Sequence, residues 1–170
     1  MERRLQTLAV IHYVSIFIFL PMAVIGMFVY LLTTSYWWLV ALYGVWFLYD
    51  YETPSRGSWR LPAWRNAAVW RHLANYFPIR LYKTAELDPE RNYICGYHPH
   101  GVVSIGAMTN FGTDATGFPK LFPGITAHLC TLVGNFWFPL RREYCMMTGA
   151  VEVSRESIEY LLTREKKGRA

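Results

Sequence analysis

The stretch LQTLAVIHYVSIFIFLPMAVIGMFVYLLTTSYWWLVALYGVWFLY, from Leu5 to Tyr49, contains no Asp, Glu, Lys or Arg. A soluble core is rarely lined by so long a run without a charge, whereas membrane-embedded chains commonly contain one. A signal peptide would have a much shorter apolar region and a small-residue cleavage site. We therefore predict that this stretch anchors the chain in a lipid bilayer.

The length of the stretch excludes one straight span. A single helix through it would be about 67 Å long, whereas the hydrocarbon core is about 30 Å thick. The chain must turn, and Thr33-Thr34-Ser35 is the most polar cluster. We predict a long helix over Leu8–Leu32 and a shorter segment over Tyr36–Tyr49 that crosses or re-enters the membrane. Arginines on both flanks favour a hairpin with both ends in the cytosol. They are Arg3, Arg4, Arg56, Arg60, Arg65 and Arg71.

The rest of the chain has room for one modest domain. The net charge of +5 suits anionic headgroups or a phosphorylated substrate. Nucleic acid is not an expected partner, because there is no zinc-finger spacing and no basic helix. The three cysteines, Cys95, Cys130 and Cys145, lie far apart, which predicts reduced, packed thiols.

The region after the anchor begins with a polar linker over Asp50–Pro62. Ala63–Asn75 has apolar residues at helical spacing, and we predict an amphipathic helix on the membrane surface. In this interpretation Trp64 and Trp70 face lipid, while Arg65 and Arg71 contact headgroups. The helix should end before Pro78.

The remaining segments alternate between strand and helix patterns, which indicates an α/β domain or part of one. The predicted order is strand Arg91–Tyr97, helix Val102–Phe111, loop Phe118–Gly124, an apolar run of undecided type over Ile125–Trp137, helix Arg141–Met147, strand Val151–Val153, and a last helix Arg155–Lys167 capped by Ser154 and closed by Gly168.

The tetrapeptide His98-Pro99-His100-Gly101 lies between the first predicted strand and helix. Open α/β sheets bind ligands at this position, and N–H groups at a helix start can hold an oxyanion. A neutral imidazole can accept a proton from a hydroxyl at neutral pH. The alternative is that both histidines satisfy hydrogen bonds in a tight turn, and spacing does not separate the two. A metal site is disfavoured, because no third ligand lies close in sequence.

A series of motifs in this chain resembles the diacylglycerol acyltransferase 2 family, with which monoacylglycerol acyltransferases and wax synthases share much. The likeness extends over nearly the whole chain, including the apolar region. It rests on Tyr76-Phe77-Pro78, Arg91–Tyr97 leading into His98-Pro99-His100-Gly101, Phe122-Pro123-Gly124-Ile125, Gly134-Asn135-Phe136 and Arg142-Glu143-Tyr144.

The resemblance implies an endoplasmic-reticulum enzyme that transfers a fatty acyl group from acyl-CoA, its co-substrate, to diacylglycerol, or alternatively to monoacylglycerol. It assigns catalysis to His98 and His100 and requires no metal or other cofactor. We take His100 as the base, with the backbone near Pro99, Gly101 and Val102 supporting the oxyanion. The motifs Tyr76-Phe77-Pro78 and Gly134-Asn135-Phe136 would bind substrate or shape the fold.

The family continues for a comparable length, with a Gly-Gly-x-x-Glu element and an Arg-x-Arg-x-Gly-Phe segment that do not occur here. The resemblance thus implies the N-terminal half: an anchoring hairpin over 1–49, a linker and interfacial helix over 50–78, and a partial acyltransferase domain over 79–170. The alternative function is a non-catalytic membrane protein that binds lipid or pairs with a full-length acyltransferase. Homo-oligomers and residence on lipid droplets are left open.

Overall fold

The computed structural model describes residues 1–98 and 101–163, which form a mostly helical body with a small parallel sheet. In the sheet, Cys130 pairs with Val151 and Thr131 with Glu152. The helices are α1 (Glu2–Leu32), α2 (Trp37–Tyr49), α3 (Pro62–Arg65), α4 (Ala68–Tyr76), α5 (Ile105–Ala107), α6 (Phe118–Leu121), α7 (Arg141–Thr148) and α8 (Arg155–Thr163); the strands are β1 (Cys130–Thr131) and β2 (Val151–Glu152). Single 3-10 turns cover Thr53–Ser55 and Val133–Phe136, and a π-helical turn covers Met108–Gly112.

The predicted turn between the two apolar helices is confirmed. The hydroxyls of Thr33 and Thr34 donate to the carbonyls of Tyr30 and Leu31 at 2.7 and 2.9 Å, so they pair two of the carbonyls that a helix end leaves open. With 31 and 13 residues, α1 and α2 are about 46 and 20 Å long. In the described part of the chain, α1 is the one helix whose length and composition suffice to cross a bilayer.

One stripe of the hairpin surface is covered by the rest of the protein, and a large apolar face of the hairpin is exposed. Ala9, Tyr13 and Val24 of α1 are buried, whereas α2 has no buried residue. The opposite side of α1 exposes apolar side chains at helical spacing over its whole length. They are Leu8, Ile11, Ile18, Met22, Ile25, Val29 and Leu32.

The first half of α1 also forms part of the domain core. Ala9 and Tyr13 pack there with Trp70 and Leu73 of α4 and with Tyr144 of α7. Helix α4 therefore covers its apolar face with α1. The domain borders predicted from the sequence stay a prediction.

The single amphipathic helix predicted over Ala63–Asn75 is wrong. The segment forms the separate helices α3 and α4, and Trp70 is 0% exposed. Its indole N–H donates to the carbonyl of Trp64 at 2.7 Å, so the ring enters the core with its polar atom paired. Helical spacing indicates an apolar face, but it does not say whether lipid or protein covers that face. The predicted helix end before Pro78 is confirmed, because α4 ends at Tyr76.

The headgroup contact predicted for Arg65 is also wrong, since this side chain is 1% exposed. Its Nη2 lies 2.9 Å from Oδ1 of Asp114. It also donates to the carbonyls of Phe111 and Gly112 at 3.1 and 2.9 Å, and to that of Thr148. A buried guanidinium is tolerated when its N–H groups are paired in this way. Arg65 thus joins α3 to the π-helical turn and to the end of α7.

The predicted strand Arg91–Tyr97 forms no strand in the described structure. Its first residues are held by other contacts: Asn92 donates to the carbonyl of Leu162 at 2.8 Å, and Tyr93 packs against the cluster of Phe118, Ile125 and Ala127. A strand needs a hydrogen-bonding neighbour, which β-propensity does not reveal.

Other boundaries are partly confirmed. Helix Arg141–Met147 is found as α7, strand Val151–Val153 as β2, and Ser154 caps α8 by accepting the N–H of Ser157 at 3.1 Å. The helix expected from Val102 begins only at Ile105, and the loop expected from Phe118 opens with α6. The last helix is described to Thr163, so its predicted end near Gly168 lies outside the described residues.

Candidate functional site

The described residues at the two ends of the histidine motif are exposed to solvent. His98 is exposed, Gly101 is exposed and has a φ of 67°, and Val102 after it is fully exposed. Pro99 and His100 lie outside the described residues. His98 is therefore open to a substrate approaching from solvent.

The chain after the motif makes a strained turn. Gly101 and Ser104 both have left-handed backbone conformations, with φ of 67° and 48°, and the Ser104 hydroxyl lies 3.4 Å from the Gly101 carbonyl. Such a conformation costs a non-glycine residue about 1–2 kcal/mol. Because α5 starts at Ile105, the N–H groups of Gly101 and Val102 do not lie in its first turn. Their oxyanion role stays a prediction.

A tyrosine of the first helix ties down this turn. The hydroxyl of Tyr13 donates to the carbonyl of Val103 at 2.9 Å. Tyr13 is 1% exposed, and its ring packs against Phe17 and Trp70 with centroids 4.8 and 6.5 Å apart. Tyr13 was not predicted from the sequence as a functional residue. The sequence signal that could have identified it is a tyrosine within an apolar helix, because a buried tyrosine hydroxyl needs a hydrogen-bond partner.

Gly106 leaves space for the ring of Tyr97, the residue directly before the histidine motif. A Cβ atom on Gly106 would lie 2.5 Å from the hydroxyl oxygen of Tyr97, so only glycine fits without a shift of that ring. Tyr97 also packs edge-on against Phe111, with centroids 5.9 Å apart. Tyr97 directly precedes His98, and it is thus positioned by the π-helical turn and by Gly106.

The Tyr76-Phe77-Pro78 motif lies at the end of α4, beside the start of α1. The guanidinium of Arg3 stands 5.2 Å from the centre of the Tyr76 ring. The ring of Phe77 packs edge-on against Tyr76 at 4.8 Å and remains 40% exposed. This motif therefore presents an aromatic surface next to a cation.

The Gly134-Asn135-Phe136 motif forms the 3-10 turn before α7. Asn135 donates to the hydroxyl of Thr131 at 2.5 Å and accepts a hydrogen bond from Arg141. The guanidinium of Arg141 lies 4.9 Å from the centre of the Phe17 ring of α1, and burial lowers its pKa. Phe136 is buried with Cys145 and Met146 of α7 and is part of the packing of the domain.

The third set of motif residues, Arg142-Glu143-Tyr144, holds the hairpin to the domain. Nη1 of Arg142 lies 2.9 Å from Oδ2 of Asp50, directly after α2. The hydroxyl of Tyr43 in α2 donates to Glu143 at 2.8 Å, while Tyr144 packs in the core. These residues act structurally in the described chain.

The candidate residues connect to α1 at three separate positions. Tyr76 contacts Arg3 directly, whereas the other two sets connect through neighbours: Val103 accepts a hydrogen bond from Tyr13, and Arg141, which donates to Asn135, lies against Phe17. Arg3 and Phe17 are about 21 Å apart along the helix. The described residues therefore arrange the motifs along one helix and do not bring them to one point.

A cavity of about 490 Å³ lies elsewhere in the described structure, between the end of α2 and α8. Phe136 is the one candidate site residue in its lining, and His98 is not part of it. The cavity is lined by Phe47, Tyr51, Glu52, Pro54, Ser55, Arg56, Val133, Phe136, Trp137, Arg142, Glu152, Glu156 and Tyr160. We place the candidate site at the histidine motif on chemical grounds, because the described lining of the cavity offers carboxylates but no imidazole.

The cysteines differ in exposure. Cys145 is buried as predicted, whereas Cys95 and Cys130 are exposed, which the prediction of packed thiols missed. Burial raises the pKa of the Cys145 thiol to about 12. Because the thiolate is the nucleophile, Cys145 is unsuited to a covalent step. In the described ranges, 1–98 and 101–163, no three His, Cys, Asp or Glu side chains cluster as metal ligands would.

Comparison with known proteins identifies the family. The model of the diacylglycerol acyltransferase family matches residues 29–170. Diacylglycerol O-acyltransferase 2 of Xenopus tropicalis is 48% identical over 99% of this chain and 46% of its own length. The human protein of that name is 45% identical over 99% of this chain and 44% of its own length. Bovine 2-acylglycerol O-acyltransferase 1 is 44% identical over 99% of this chain and 50% of its own length.

The chain thus spans about half the length of the curated relatives it matches. No solved structure matches it. The family match covers the histidine motif, the two other candidate motifs and α2. On this evidence the chain belongs to the diacylglycerol acyltransferase family.

Proposed function

We propose that this chain takes part in acyl transfer from acyl-CoA to the free hydroxyl of diacylglycerol, which yields triacylglycerol. The observation that carries the proposal is the exposed turn at His98, which lies in the family match and is tied through Val103 to an apolar helix. Diacylglycerol dissolves in the bilayer, whereas acyl-CoA arrives from water. A histidine beside a membrane helix suits a reaction between the two.

In the proposed mechanism His100 accepts the proton of the acceptor hydroxyl, and the oxygen attacks the thioester carbonyl. The carbon–sulfur bond breaks, and the CoA thiolate takes the proton from His100 to leave as free CoA. His98 orients its partner or the acceptor, and backbone N–H groups at Gly101 and Val102 stabilise the oxyanion. His100 is assigned from the motif. General-base help of this kind contributes about 10²–10⁴-fold in rate.

The direct route is tested by trapping. Labelled oleoyl-CoA is added without acceptor, the reaction is quenched in acid, and the chain is analysed by mass spectrometry. The direct mechanism predicts no acyl group on any residue. An acyl group on a cysteine that transfers to diacylglycerol in a chase would replace it with a covalent route.

The activity itself is tested in microsomes from cells that lack their own diacylglycerol acyltransferases and carry only this chain. Labelled oleoyl-CoA is supplied with diacylglycerol, and labelled triacylglycerol above the empty-vector control is the expected result. Absence of product, with the chain present in the membrane fraction, would favour the non-catalytic alternative. Parallel reactions with monoacylglycerol decide between acceptors, because the similarity to the bovine 2-acylglycerol enzyme supports that alternative.

The proposed location is the endoplasmic reticulum membrane, with both chain ends in the cytosol and lipid droplets as a second site. Helix α1 enters the bilayer with the uncovered apolar face described above. We propose that α2 re-enters, because its 13 residues reach about 20 Å, short of a hydrocarbon core of about 30 Å.

Accessibility labelling tests this topology. In sealed microsomes, Ser35→Cys in a chain without other cysteines should resist an impermeant maleimide from both sides. A chain that keeps only the exposed Cys95 is the control and should react from the cytosolic side. Labelling of Ser35→Cys only after the lumen is opened would show that the hairpin crosses.

A further inference from the structure

We propose that Tyr13 is a positioning residue for the histidine motif: its hydroxyl, carried by α1, holds the backbone at Val103 and thereby the turn that follows His98–Gly101. The part of this inference that concerns turnover rests on the proposed function. The tie itself can be tested without any activity.

The geometry gives the tie its strength. The hydrogen bond from Tyr13 to Val103 is 2.9 Å long, and Tyr13 is 1% exposed. Water therefore cannot readily replace the hydroxyl, and a carbonyl that loses a buried donor is left unsatisfied. The Tyr13 ring is held in turn by Phe17 and Trp70, so the donor has little freedom to move.

The turn at the other end of this bond needs such support. Between Gly101 and Ile105 the chain passes through two left-handed residues, Gly101 and Ser104. A serine in this conformation persists only where neighbouring contacts impose it. Val103 lies directly before that serine, and both Val103 and Ile105 pack against the core cluster that contains Tyr13.

The same helix extends into the proposed membrane segment. Residues Ile18 and Met22, which follow Tyr13 on the same helix, are 54% and 71% exposed and apolar. A sliding of α1 by one helical turn, about 5.4 Å, would break the bond to Val103. The backbone conformation after the histidine motif thus depends on the position of α1. A helix that only anchored the chain would not need such a coupling.

The first experiment measures hydrogen–deuterium exchange of the chain in lipid nanodiscs. Tyr13→Phe removes only the hydroxyl, and Tyr30→Phe, at a position 67% exposed on the same helix, is the matched control. Tyr13→Phe should raise exchange in the peptide over residues 101–108, in which the Met108 amide donates to the Ser104 carbonyl at 2.9 Å, by about tenfold, the change expected for the loss of one hydrogen bond. Peptides from α7 and the Tyr30→Phe chain should not change. An unchanged rate at 101–108, or an equal rise throughout the chain, would overturn the proposal.

The second experiment measures acyl transfer by the same variants. Tyr13→Phe should lower kcat about tenfold, while KM for both substrates stays within twofold, because the residue contacts neither. Faster exchange at 101–108 with an unchanged kcat, or a rise in KM alone, would contradict a positioning role. If the unsubstituted chain shows no transfer, the proposed function fails, and the exchange measurement still decides whether Tyr13 holds the turn.

Discussion

Replacement of Arg142 by leucine tests how the apolar hairpin is held to the domain. Arg142 is 1% exposed, and its guanidinium contacts the carboxylate of Asp50 at 2.9 Å and donates to the carbonyl of the same residue. It also lies 5.0 Å from the centre of the Phe47 ring. The Asp50 side chain is only 10% exposed. Arg142→Leu therefore leaves a carboxylate buried without its cation.

The size of the expected loss of stability follows from the burial of this ion pair. Breaking a buried ion pair from one side costs about 3–5 kcal/mol, which corresponds to a melting temperature lower by about 6–20 °C for a chain of this size. Arg56→Leu is the control, because its pair with Glu52 is 59% and 63% exposed and contributes about 0–1 kcal/mol. The double variant Asp50→Asn with Arg142→Leu should recover about half of the loss, since Asp50 no longer carries a buried charge, while the carboxylate of Glu143, 15% exposed and 3.4 Å from Arg142, still loses its cation.

The assay is thermal unfolding of the purified chain in detergent micelles, followed by tryptophan fluorescence. An Arg142→Leu chain that melts within about 4 °C of the unsubstituted protein, as Arg56→Leu should, would show that this ion pair does not hold the hairpin to the domain. So would a double variant as unstable as the single one, because the loss would then not come from an unpaired Asp50.

Three further predictions use the same chain. Trp70→Ala should lower the melting temperature by about 6–20 °C, because removal of a fully buried tryptophan costs about 3–5 kcal/mol, whereas Trp38→Ala, 50% exposed, should change it by less than about 4 °C. Gly106→Ala should slow acyl transfer several-fold by displacing the Tyr97 ring, and adding Tyr97→Phe should restore most of the rate; no restoration would exclude that clash as the cause. Burial raises the pKa of Cys145 to about 12, so its thiolate forms only as the pH approaches that value. Iodoacetamide at pH 8 should therefore modify the exposed cysteines and leave Cys145 intact, as measured by mass spectrometry.

The features predicted correctly from the sequence are those encoded locally. The turn at Thr33-Thr34-Ser35 and the cap at Ser154 depend on hydroxyls that bond to backbone a few residues away. Helix α7 and strand β2 are likewise short patterns bounded by recognisable residues. The family could be recognised because its motifs occur in order along the whole chain.

The errors concern partners that are distant in sequence. Trp70 and Arg65 are residue types expected in a helix on the membrane surface. In the structure, however, α1 covers Trp70, and Asp114 forms an ion pair with Arg65. Segment Arg91–Tyr97 has strand-like residues, yet no described strand pairs with it. The tie between Tyr13 and Val103 joins residues that are 90 positions apart, and no local pattern predicts such a bond.

We propose that acyl transfer by this chain depends on the histidine motif. The most direct test compares initial rates of triacylglycerol formation by His100→Ala and His72→Ala in the same microsomes, with equal amounts of chain in the membrane. His72 lies in α4, outside the motif. We predict that His100→Ala loses about 100-fold or more, while His72→Ala stays within twofold of the unsubstituted chain. A His100→Ala chain that keeps more than half of the rate would contradict the claim.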